Sequence, residues 1–246
     1  MSRFTVAVLL AALATGAFIA RHSLRSEEGP PPAPAKVYGE WLIRVRPDRG
    51  AEYGRLIREQ GLPLFRAAGG RMVGWWTTLV GDLYEHVTIW EYDGLAGFEK
   101  AVAFLGKDER FKKFVELRDP LLAGEESRFL RLAPGGEAPA LDEKANVVVH
   151  EVHRVPPGRW RDYWERAPRL VDLYRKKGFR VAGPFQPIAG RESEVTYLWL
   201  HDSLAEREAK LGPFGRHIDG VYVQNQLAET VTEVTTRVLL PAPFTR

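Results

Sequence analysis

The strongest constraint on this chain is that it repeats itself. Residues 74–96, GWWTTLVGDLYEHVTIWEYDGLA, lie over residues 183–205, GPFQPIAGRESEVTYLWLHDSLA, without a gap. At one fixed spacing Gly74 meets Gly183, Gly81 meets Gly190, Glu85 meets Glu194 and Trp90 meets Trp199. Asp93, Leu95 and Ala96 meet Asp202, Leu204 and Ala205. The spacing continues upstream through Leu64/Leu173, Arg66/Arg175, Gly69/Gly178 and Arg71/Arg180. The closing segments, FLRLAP (129–134) and RVLLP (237–241), align at a slightly smaller spacing. Such a chain folds as two copies of one unit. The polar, proline-containing stretch GEAPALDEKAN (136–146) joins them.

Each unit has the same element pattern. VYGEWLIRV (37–45) is rich in β-branched and aromatic residues and predicts a strand. EYGRLIREQGLPLFRAA (52–68) has helical spacing, with Pro63 as a kink and a Gly-Gly stop. RMVGWWTTL (71–79) and YEHVTIWEY (84–92) form a hairpin around Gly81-Asp82. Asp93 is placed to cap a helix running from Leu95 to about Glu116, and SRFLRL (127–132) is the last strand. The order β-α-β-β-α-β is the ferredoxin-like unit. The second unit repeats it, ending in a helical stretch over 203–227 broken at Gly212-Pro213 and a strand over 229–240. The units span 37–135 and 147–241. A sheet with helices on one face needs cover on the other. The second copy supplies it, so the expected class is α+β, with two four-stranded sheets facing each other as an intramolecular barrel. Free sheet edges would leave self-association open.

The first 26 residues read as a targeting segment. Arg3 precedes an apolar run from Phe4 to Ala20, the form of a secretory signal with small residues for cleavage at Ala12, Ala14 and Ala17. The run is also at the lower limit of ~17–25 residues for an uncleaved anchor. The expectation is export or membrane tethering; a mitochondrial presequence is the alternative, supported by Arg3, Arg21 and Arg25. EEGPPPAPAK (27–36) reads as a stiff proline linker. The chain has no cysteine, which excludes disulfides and thiolate chemistry. A net charge of +3 is too small for a nucleic-acid-binding surface.

Two copies of a strand, a helix, a Gly-Trp hairpin and a W-x-Y/H-D-x-L-A pattern, with KDERFKKF (107–114) in the first, resemble the NIPSNAP family. The resemblance covers about 37–241 and rests most on Gly74-Trp75, Gly81, Trp90-Glu91-Tyr92-Asp93 with Leu95-Ala96, and Asp108 with Phe111. The second copy departs from the pattern: Phe185 stands in the Trp76 column, His201 replaces Tyr92, and GPFGRH (212–217) replaces KDERFKK. The resemblance implies the dimeric α+β barrel superfamily, with mitochondrial and vesicular associations and, in bacteria, mostly no defined activity. The wider superfamily includes cofactor-free monooxygenases and haem-binding enzymes.

Alternate strand residues share a face. In 84–92 one face carries Glu85, Val87, Ile89 and Glu91; the other carries Tyr84, His86, Thr88, Trp90 and Tyr92. If the aliphatic face packs under the helices, the aromatic face points into the barrel. His86, Thr88, Trp90, Tyr92, Tyr197, Trp199 and His201 are then the candidate lining of a pocket for a small apolar ligand. The competing reading is that they simply fill space between the sheets. His150 and His153 are three apart in a strand and point to opposite faces, so they cannot chelate one ion together. No paired-histidine metal motif, nucleophile elbow, phosphate loop or dinucleotide fingerprint is present, so no metal, cofactor or catalytic residue is assigned. Glu85 and Glu194 recur and read as partners of cations, with Arg71 and Arg180 on the adjacent strands in reach. The expectation is a non-catalytic binding or interaction module. The alternative is a cofactor-independent monooxygenase-like enzyme using His86, His201 or Glu85 for proton transfer, or a haem-binding enzyme of the same superfamily.

Overall fold

The computed structural model describes residues 35–138, 145–214 and 218–245. Residues 1–26, expected to be a targeting segment, all but the end of the proline linker, and part of the connector lie outside the described residues. Among the described residues no helix is long and apolar enough to cross a membrane.

The first repeat runs β1 (Val37–Val45), α1 (Gly50–Leu56), α2 (Leu62–Ala67), β2 (Arg71–Val80), β3 (Glu85–Tyr92), α3 (Gly94–Lys107), α4 (Glu109–Arg118) and β4 (Leu122–Glu137). The second runs β5 (Val147–Arg154), α5 (Trp160–Lys176), β6 (Arg180–Ala189), β7 (Glu194–His201), α6 (Leu204–Phe214), α7 (Ile218–Ala228) and β8 (Glu233–Pro241). Pro63 has no N–H to give to a helical ladder, and the helix changes register just before it, through a π-helical turn at Ile57–Gly61. The long helix expected from Leu95 is two helices. Asp108 breaks it with an extended backbone and caps α4, accepting from Arg110 N at 2.8 Å. Asp93 does not cap α3; it pairs with Lys36. Asp202 likewise pairs with Arg180 at 2.6 Å, and Ser203 caps α6 by accepting from Glu206 N at 3.0 Å.

All eight strands form one closed antiparallel barrel in the order β1-β3-β2-β8-β5-β7-β6-β4. Each repeat contributes four consecutive strands, with its β1 or β5 inside. The repeats join along two seams. In one, Trp76, Thr77 and Thr78 face Pro241, Leu240 and Leu239; in the other, Leu132, Arg131 and Leu130 face Phe185, Gln186 and Pro187. Closure pairs the strands that were expected to leave free edges among the described residues.

The lumen is filled by Tyr38, Trp76, Val87, Ile89, Leu130, Val148, Ala182, Phe185, Leu198, Leu200 and Leu239. Two further cores lie between the barrel wall and the helices, one per repeat. The recurring Gly74 and Gly183 serve the lumen. A side chain at Gly74 would collide with the Trp76 ring, and one at Gly183 would come within 2.8 Å of Phe185. Bare backbone two residues before each inward aromatic lets the ring lie across the strand.

Candidate functional site

The seven expected lining residues sit on the outer faces of the two sheets, beneath the helices, and they form two sets. Val87 and Ile89 pack in the lumen, which turns His86, Thr88, Trp90 and Tyr92 outward. Trp90 meets Phe65 at 5.5 Å, Tyr92 meets Phe98 at 5.3 Å, and Thr88 donates to Gly74 O at 3.1 Å. His86 lies 5.0 Å from the Tyr53 ring on α1. In the second repeat Trp199 stacks on Tyr197 at 5.8 Å and meets Tyr174 of α5 at 4.7 Å. Tyr197 Oη bonds Tyr163 Oη at 2.7 Å, and His201 packs edge-on to Phe179 at 6.0 Å. The inversion has a physical reason. Both faces of each strand are covered, one by helices and one by the other sheet, so burial alternation no longer tells them apart. Burial holds His86 and His201 neutral, with pKa values lowered to about 4. It pushes Tyr92 up to about 12.

The lumen faces hold charges that the sequence reading left unassigned. Glu40 on β1 and His150 on β5 are fully buried, with His150 Nε2 2.8 Å from Glu40 Oε1. Arg128 on β4 bridges Glu40 to Glu194 and donates to Thr196 Oγ1 at 3.0 Å. Arg237 on β8 donates to Glu85 at 2.7 Å. The recurring glutamates therefore do have cation partners, but across the repeat boundary: Glu85 takes Arg237 and Glu194 takes Arg128. Arg71 and Arg180, the neighbours expected to serve them, pair with Glu91 and Asp202. Burial disfavours the Glu40 carboxylate, but Arg128 and then His150 outweigh it and hold its pKa down at about 2.

At one end of the barrel this network opens into a cleft of about 150 Å³ between the sheets. Its charged walls are Glu40, Arg128, Arg154, Arg191, Glu194 and Arg237, with Glu126 and Glu233 at the rim. Arg154 pairs with Glu233 at 2.7 Å, and Arg191 with Glu126 at 3.0 Å. The space between the sheets thus has an ionic part, which is buried at Glu40 and His150 and opens at the cleft, beside an apolar filled part. The signal for this was present: Arg128 and Arg237 recur at the same spacing as Glu85 and Glu194. Aligning the last strands on FLRLAP and RVLLP slips that register by two residues and hides the match.

The family model for NIPSNAP matches twice, over residues 42–135 and 151–246. The chain belongs to the NIPSNAP family. The two NIPSNAP copies are the two halves of the closed barrel. Drosophila melanogaster Protein NipSnap is 26% identical over 221 residues, 85% of this chain and 77% of that protein. Human Protein NipSnap homolog 2 is 28% identical over 144 residues, 56% of this chain. That match spans 48% of the human protein, so the chain aligns with about half of that relative's length. Among solved structures, a putative monooxygenase from Fusobacterium nucleatum subsp. nucleatum superimposes with a TM-score of 0.64, covering 85% of this chain and 93% of that one at 10% identity. One from Lactobacillus acidophilus NCFM gives 0.60, at 9% identity and 84% and 93% coverage. At those identities the likeness concerns the barrel fold and not its chemistry.

Proposed function

We propose that this NIPSNAP chain is a non-catalytic binding module that takes a small charged ligand at the mouth of its barrel. One observation carries this: the inward carboxylates at the mouth are tied to arginines. A general base works best with a pKa near the working pH. Glu40 is held at about 2, and the neutral His86 and His201 at about 4 are weak proton acceptors outside the barrel. The guanidiniums of Arg154 and Arg191 are 43% and 58% exposed, and a carboxylate or phosphate would take their forked contacts in competition with Glu233 and Glu126. The apolar run from Phe4 to Ala20 supports an exported or membrane-tethered position, with mitochondrial import as the alternative.

The test is native mass spectrometry of the purified chain with an absorbance scan, followed by titration with small carboxylates and phosphates. Binding that weakens at least tenfold in Arg154→Ala and falls with salt is expected. A Soret band or a bound flavin, or turnover of oxygen, would overturn the proposal.

A further inference from the structure

The first repeat buries three polar atoms without a hydrogen-bond partner on rings that touch one another. They are Tyr53 Oη, Trp75 Nε1 and His86 Nδ1. Tyr53 lies 5.0 Å from His86 and 6.4 Å from Trp75, ring centre to ring centre. Phe244, on the turn after β8, closes the group at 5.4 Å from Trp75 and 6.2 Å from His86. Its ring also lies against Gly54 of α1, where a side chain would come within 3.2 Å of it. Leaving a buried donor or acceptor unpaired costs ~1–3 kcal/mol, so three in one cluster need a reason.

The second repeat is an internal control. Tyr53 and Tyr163 occupy the same helical position, each N–H bonding the carbonyl four residues back, at Arg49 and Arg159, at 2.9 Å. Yet Tyr163 Oη is satisfied, by His153 Nδ1 at 3.0 Å and Tyr197 Oη at 2.7 Å, and His153 Nε2 continues to Glu151 at 2.9 Å. In the first repeat Ile43 and Thr88 stand where His153 and Tyr197 stand in the second, and the Thr88 hydroxyl is turned to Gly74 O. Trp75 and His86 stand where the second has Pro184 and Val195. The same wall therefore closes with a satisfied tyrosine in one copy and with three unsatisfied polar atoms in the other, so the fold itself does not require them.

We propose that Tyr53, Trp75 and His86 form a binding site for a small uncharged aromatic molecule with one hydrogen-bonding substituent, and that Phe244 is its displaceable plug. The walls are rings, matched by a ring. The polar atoms are a hydroxyl, an indole N–H and a neutral imidazole, matched by a hydroxyl or N–H that both donates and accepts. A charged ligand has no ready counter-ion here: Arg118 and Glu125, the charges that act on Tyr53, pair with each other at 3.0 Å. The surroundings are otherwise apolar, including Ile43, Val45, Leu56 and Ile57. This site lies outside the barrel lumen and is independent of the charged cleft.

Phenol and toluene are nearly equal in size and differ in one hydrogen-bonding group, so they separate a built site from a greasy hole. The experiment titrates each into the full-length chain while following the Trp75 indole N–H by NMR, assigned by its loss in Trp75→Phe. Phenol is expected to shift that resonance and to bind at least tenfold more tightly than toluene. Phe244→Ala is expected to tighten phenol further while keeping the preference, and Tyr53→Phe to reduce it. Tyr163→Phe in the second repeat and Arg154→Ala in the cleft are expected to leave phenol binding unchanged, with circular dichroism confirming that each variant folds. The proposal is overturned if toluene binds as well as phenol to Phe244→Ala, if the preference survives Tyr53→Phe, or if phenol produces no saturable shift.

Discussion

Replacing Arg128 by methionine removes the side chain that ties Glu40 of the first repeat to Glu194 of the second inside the barrel. Methionine keeps much of the stem but leaves Glu40 without its strongest partner and Glu194 with only the longer contacts to Arg154 and Arg191, both at 3.4 Å. Removing one member of a buried ion pair costs ~3–5 kcal/mol, because the other charge stays buried. A second route gives a similar size. Glu40 moves from an ordinary 4.5 to about 2 in the folded chain, which linkage converts to about 3 kcal/mol at neutral pH. A depressed carboxylate pKa adds stability that is complete above the unfolded value near 4.5 and is lost as pH falls towards 2. Urea unfolding at pH 7 should therefore show Arg128→Met about 3 kcal/mol less stable. The gap to the parent chain should narrow between pH 4.5 and 2, and Arg128→Met with Glu40→Gln should recover part of the loss. A deficit below ~1 kcal/mol, the size of a surface pair, or a gap that stays constant down to pH 3, would refute the reasoning.

Arg237→Met strands only Glu85, and should cost less, about 2 kcal/mol in the same unfolding assay. Asp108→Ala removes a real helix cap and should cost ~1 kcal/mol, whereas Asp93→Ala removes an exposed ion pair and should stay within ~0.5 kcal/mol; their thermal midpoints check the contrast. His86 should titrate by NMR near 4, and because its folded pKa lies below the unfolded 6.5, its contribution to stability should be full above pH 6.5 and decline as pH falls towards 4.

The repeat, the element order and the intramolecular barrel were legible because periodicity and self-similarity survive without knowledge of packing. Glu85 and Glu194 illustrate the limit. Their recurrence marked them as a matched pair, but the partners lie 152 and 66 residues away in sequence, across a boundary that exists only after the barrel closes. The orientation of His86, Thr88, Trp90 and Tyr92 failed for a different reason. A strand covered on both sides gives no hydrophobic contrast, and in β3 the aromatic residues face the helix layer while Val87 and Ile89 face the lumen. Glu40 and His150 were invisible as a pair because they differ in type at the same repeat position. The helix break at Asp108 could have been read from Asp108-Glu109, a cap followed by an acid in the first turn.

The claim that the inward carboxylates are fixed structural charges and not catalytic ones is tested most directly at Glu40. Its side-chain carboxyl carbon can be followed by ¹³C NMR in the folded chain as pH falls from 7. A carboxylate that stays ionised well below the usual 4.5, towards about 2, is the predicted result. An inflection at or above 4.5 would show that Arg128 and His150 do not hold this carboxylate ionised, and would contradict the account of Glu40 as a fixed structural charge.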